Sequence, residues 1–140
     1  VDHEMMSALC LASKRGVDVR IITPGIPDKK IVYQLTRSHY PELIDNGVKI
    51  YEYSPGFLHG KCYVCDDEIA TVGTINMDYR SLYLHFECGC YFYKSNVVAQ
   101  VKEDFESTLK SCRPIHLEHR DQGIIKNIYY AFLRLFSPLL

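Results

Sequence analysis

The sequence predicts an α/β fold, a mixed β-sheet flanked by helices, and two observations carry that prediction. Helical and strand-like patterns alternate over the first third of the chain, and strand-like runs then cluster in its middle. In 4–15, Met5, Met6, Leu9, Cys10 and Ala12 fall on one helical face, with Asp2 as N-cap and Gly16 as the stop. Residues 17–23 read as a strand buried on both faces, broken by Pro24-Gly25-Ile26-Pro27. Asp28 is placed to cap a helix over 29–37 with Ile31, Val32 and Leu35 inward, and Pro41 to open a further turn that Asn46-Gly47 ends. Residues 48–53 alternate as a strand, Val48, Ile50 and Glu52 on one side and Lys49, Tyr51 and Tyr53 on the other. Two runs, 61–65 and 68–72, form a hairpin about Asp66-Asp67, and 86–93 is a further strand. Helical spacing returns over 97–109, a polar connector occupies 112–123, and an amphipathic helix within 122–136 closes the chain before Pro138.

The 140 residues suit one domain spanning 1–140, with 47% hydrophobic and 24% charged residues, a balance that excludes intrinsic disorder. A net charge of -1 gives no basic field, so nucleic acid is not the expected partner. No apolar run is long enough to span a bilayer, and the start at Val1 reads as a piece of a longer protein. The six cysteines are expected to be reduced and mostly buried. Cys62 and Cys65, three apart on a strand, point to opposite faces and do not share a zinc ion easily.

The chemistry concentrates in His59-Gly60-Lys61, Asp66 and Gly73-Thr74-Ile75-Asn76, the pattern H-x-K-x4-D-x6-G-T-x-N. His59 and Lys61, two apart, emerge on one face of a strand. An imidazole, with an unperturbed pKa of about 6.5, serves as nucleophile or proton carrier near neutrality. Lys61 supplies a cation for phosphoryl oxygens, and Thr74 and Asn76 supply a hydroxyl and an amide for the same oxygens. Glu87 is a candidate acceptor for the far nitrogen of His59. Such a phosphodiester site needs no metal and no other cofactor. Taken singly, each residue has an ordinary alternative: strand edge, turn acid, loop amide, surface acid. The case rests on the fixed spacing of all of them.

That spacing resembles the H-K-D motif of the phospholipase D superfamily. The run Asn76-Met77-Asp78-Tyr79-Arg80-Ser81-Leu82-Tyr83-Leu84-His85-Phe86-Glu87 is similar to the second such motif of bacterial cardiolipin synthases. So are Lys14 through Gly25 and the ending Leu135-Phe136-Ser137-Pro138-Leu139-Leu140. The resemblance implies one half of a phospholipase D-like fold. It implies His59 as one of two active-site histidines, of which one forms a phosphohistidine and the other protonates the leaving alkoxide. Lys61, Thr74 and Asn76 then hold the phosphate, Glu87 orients His59, and Asp66 supports the motif's structure and charge. His85 stands where the family commonly has Asn, and Thr74 where Ser or Gly is frequent.

This chain carries one motif where the family's site uses two, so the expected partner is the missing N-terminal half or a second copy of the chain. The reaction implied converts two phosphatidylglycerol molecules to cardiolipin and glycerol. The alternatives are a hydrolytic phospholipase, a single-motif dimeric nuclease, which the net charge disfavours, or a phosphate- or lipid-binding module without turnover. The parent enzyme is expected at the bacterial cell membrane, with this piece soluble and its catalytic domain facing the cytoplasm. The closing helix is read as packed on the sheet in preference to lying in the membrane interface.

Overall fold

The computed structural model describes residues 1–27, 29–116, 128, 130, 131 and 133. The first layer is built on α1 (His3–Lys14), whose start is set by Asp2: its carboxylate accepts from the backbone N–H of Glu4 at 3.1 Å and of Met5 at 3.3 Å. Strand β1 (Arg20–Pro24) follows, then α2 (Lys30–Ser38) and α3 (Tyr40–Asp45), with Pro41 in the first turn of α3 where its missing N–H costs nothing. These two helices carry the crossover to β2 (Lys49–Tyr53), which runs parallel to β1 with Ile21 opposite Ile50. β2 is the middle strand, and β6 (Cys112–Ile115) flanks it antiparallel on the other side.

The second sheet is an antiparallel meander of β3 (Lys61–Cys65), β4 (Ile69–Gly73) and β5 (Gly89–Tyr93). The β3–β4 turn holds Asp66 and Asp67 at φ 52° and 59°, left-handed values that acidic turn residues tolerate. A single π-helical turn, Arg80–Leu84, separates β4 from β5. Helix α4 (Asn96–Leu109) ties both sheets together: Lys102 reaches Asp67 at 2.7 Å, and Glu106 accepts from Arg20 of β1 at 3.0 Å. The core under the first sheet gathers Met6, Tyr40, Leu43, Val48 and Ile50.

The α/β class stands as expected, with the strands divided into two three-stranded sheets. The alternation of 48–53 is realised in full, since Val48, Ile50 and Glu52 are all buried. Five expectations are corrected. β1 begins only at Arg20 and is half-buried, because among the described residues it has a neighbour on one side alone. Ile31 and Val32 point outward: α2 enters the core through Leu35 and Ser38 and leaves its first turn outside. The start of the 112–123 connector is strand β6, and the strand expected over 86–93 starts at Gly89. Finally, the thiols are not mostly buried: Cys65, Cys88 and Cys90 are exposed at strand ends or on the outer strand β5, and Cys10, Cys62 and Cys112 are half-buried, none in a disulfide. The capping role of Asp28 lies outside the described residues. So does most of the 122–136 helix, of which Ile128, Tyr130, Ala131 and Leu133 are described and helical.

Candidate active site

Register builds the site. Lys61, Gly73 and Gly89 lie in one row across the second sheet, so the segments that enter or leave its three strands meet at one end. His59 precedes that row by two residues, Thr74 and Asn76 follow it, and Glu87 precedes Gly89 by two. Gly73 is obligatory here. A Cβ on it would sit 2.3 Å from the Cys88 carbonyl oxygen, so only glycine lets β4 and β5 close at this point.

Glu87 is the hub. One carboxylate oxygen accepts from the Thr74 hydroxyl and the other from the Ser81 hydroxyl at 2.6 Å. These bonds, that from Ser81 foremost, hold the Glu87 carboxyl below the ordinary glutamate value, and the His85 and Lys61 charges act in the same direction. Thr74 is itself fixed by backbone bonds, its N–H donating to Cys88 O at 2.9 Å and its Oγ1 accepting from Cys88 N–H at 3.0 Å. Buried Ser81 also accepts from the Asn76 N–H at 2.9 Å, while its own N–H donates to Asp78 Oδ1 at 2.7 Å. One hydroxyl therefore couples the loop that presents Asn76 to the acid. Beyond it, the Arg80 Nε–H donates to His85 Nε2 at 2.6 Å, and His85 Nδ1 lies 3.8 Å from Glu87.

His59 is exposed, its ring stacked on Phe57 with centroids 5.7 Å apart and planes within 12°. The Lys61 ammonium donates to the His59 carbonyl at 2.8 Å, which fixes the cation beside the imidazole-bearing residue. Thus His59, Lys61, Thr74, Asn76 and Glu87 come to the same end of the sheet. Asp66 does not. It occupies the turn at the far end of β3, roughly 16 Å along the strand from Lys61, where its carboxylate accepts from the Cys65 thiol. Nor does Glu87 bond to His59 among the described residues; its two oxygens accept from Thr74 and Ser81.

Two participants escaped the sequence reading as site residues, Ser81 and Arg80. The Asp78-x-x-Ser81 spacing, which places a carboxylate three residues ahead of an N–H it can accept from, was the available signal for Ser81. The described residues contain no group of three or more His, Cys, Asp and Glu side chains arranged to hold a metal ion.

The architecture is that of the phospholipase D class. The solved structure of Nuc from Salmonella typhimurium, a phospholipase D family member, superposes with a TM-score of 0.71 over 83% of this chain and 76% of that one, at 19% sequence identity. A family model described as cardiolipin synthase, PLD-like domain, matches residues 1–109, and the chain belongs to that family. Among its relatives, an uncharacterized protein of Streptococcus mutans is 48% identical over 100% of this chain. A cardiolipin synthase of a Geobacillus species is 44% identical, and cardiolipin synthase 2 of Bacillus cereus 41%, each over 99% of it. The chain spans 27–31% of the length of these relatives.

Proposed function

We propose that this chain is one catalytic half of a cardiolipin synthase, folded as a single domain over 1–140. The observation that supports the reading is the gathering of an exposed imidazole, an ammonium, a hydroxyl, an amide and a carboxylate at one end of the second sheet. One active-site histidine attacks the phosphorus of phosphatidylglycerol, forming an N–P bond as the bond to the glycerol oxygen breaks. The opposing histidine gives its proton to that oxygen, and glycerol leaves. A hydroxyl of a second phosphatidylglycerol then attacks the phosphohistidine, returning a proton to the same opposing group and yielding cardiolipin. His59 takes one of these two parts. Lys61 and Asn76 neutralise and orient the phosphoryl oxygens, with Thr74 beside them. The Glu87 carboxylate supplies negative charge next to this cluster, which favours imidazolium when it forms. The second histidine comes from the rest of the longer protein or from a second copy of the chain. The setting is the bacterial cell membrane that carries the substrate. Among the described residues, no helix is long and apolar enough to cross it.

The test is conversion of labelled phosphatidylglycerol in vesicles by the longer protein and by this chain, each beside its His59→Ala form. Cardiolipin should form in the unmutated longer protein and fall by about 10⁴-fold or more in the variant. Phosphatidic acid in place of cardiolipin would make the protein a hydrolase. Equal product with and without His59 would remove that residue from the chemistry.

A further inference from the structure

One edge of the first sheet carries an unexplained surface. Because β1 and β2 are parallel, the segments that leave them, one toward α2 and one toward β3, depart from the same end. The Gly25 N–H donates to the Tyr53 carbonyl at 2.7 Å and holds those segments side by side. On the first segment Ile26 is 43% exposed, and in the first turn of α2 Ile31 and Val32 are 53% and 37% exposed. On the second, Phe57 is 60% exposed and carries the His59 ring on its face. Lys29 and Lys30 stand exposed in the same segment, following Asp28 in sequence, and neither has an ion-pair partner among the described residues.

We propose that Ile26, Lys29, Lys30, Ile31 and Val32, with Phe57, form the surface by which the chain rests on an anionic bilayer. Protein interfaces are depleted in lysine, whereas helices that lie in a membrane interface combine aliphatic side chains with lysines that meet lipid phosphates. The charge pattern therefore selects lipid over a second protein surface. Contact there sets His59, through Phe57, at the boundary of the bilayer, so that a lipid phosphodiester reaches the imidazole while its acyl chains stay in the membrane. The assignment of that phosphodiester as substrate rests on the function proposed above; the docking surface stands on its own residues.

The chain has no tryptophan, so Ile31→Trp introduces a single reporter. With vesicles of phosphatidylglycerol and phosphatidylcholine in equal parts, its emission should shift to the blue and be quenched by brominated acyl chains. Phosphatidylcholine alone should produce little of either. Lys29→Gln with Lys30→Gln should weaken vesicle binding about thirtyfold, while Lys14→Gln with Lys110→Gln, the same charge removed elsewhere, should leave it unchanged. An unshifted reporter, or equal loss from both lysine pairs, would overturn the proposal. So would a reporter already shielded in the longer protein before lipid is added, since the rest of the chain would then cover this face. Vesicle binding by a longer protein that makes no cardiolipin would defeat the functional reading and leave the surface in place.

Discussion

Two carboxylates divide the molecule between them. Glu52, on the core side of β2, is 3% exposed and meets Arg37 Nε at 3.1 Å, Arg113 Nη2 at 3.3 Å and the Tyr40 hydroxyl at 3.3 Å. Tyr40 in turn shares a 2.7 Å bond with Thr23, and burial drives its phenol well above the ordinary tyrosine value. Glu87, at the end of the second sheet, has two neutral hydroxyls on its oxygens and, among the described residues, no cation in hydrogen-bonding contact. Fixed cations cancel the first charge where it sits, so Glu52 fastens α2 and β6 to the central strand. Hydroxyls orient the second charge without cancelling it. Its field stays available to Lys61, to His85 and to whatever cation develops in the site. The same functional group acts as a clamp in one place and as an electrostatic resource in the other.

The difference is best attacked first at the clamp. Replacing both Arg37 and Arg113 by Ala leaves a buried carboxylate without its cations, and the expected cost is about 3–5 kcal/mol in denaturant unfolding. A cost near zero would mean that Glu52 is no clamp, and the contrast would collapse.

Next comes Ser81→Ala, which removes a buried hydroxyl bonded on both sides. It should cost about 1–3 kcal/mol and raise the Glu87 carboxyl toward the ordinary glutamate value, as read by NMR titration. A Glu87 that titrates unchanged in the variant would show that Ser81 does not hold it.

The smallest effect is the acid limb of stability. Asp18, bonded to Arg20 and Lys49, is lowered from 3.8 to about 2. A group depressed on folding contributes above its unfolded value and loses that contribution as pH falls through its folded one. Asp18→Asn should therefore flatten the decline of stability between about pH 4 and pH 2, slightly, because the pair is largely exposed. Glu87→Gln should act in the same sense just below the ordinary glutamate value.

Much of this was legible in the sequence. Val48, Ile50 and Glu52 share a face because side chains alternate along a strand, and 97–109 is helical because its apolar residues fall three and four apart. Strand β6 was not legible. It has four residues, Arg113 and Pro114 among them, no alternation, and a proline that only an edge position accepts. Periodicity chose the right stripe of α2 for Leu35, but could not report that the first turn projects past the core. In the site, spacing named the groups that meet. It could not say which acceptor each donor would take, and so paired Glu87 with His59 where the structure shows Thr74 and Ser81 donating to it. Asp66 was grouped with the site by the motif alone, although its place in the hairpin turn already set it at the other end of β3.

The closure at Gly73 also constrains how this site can change over time. Thr74 and Asn76 hang immediately beyond the glycine, and their direction is inherited from the pairing of β4 with β5. A side chain at position 73 would push the strands apart or shift them by a residue, and a one-residue slip turns every following side chain to the opposite face. Variation at Thr74 adjusts one group, whereas variation at Gly73 would turn the hydroxyl and the amide away together. Drift in this lineage is thus free to retune the chemistry one side chain at a time, but has no gradual route through the backbone that presents it.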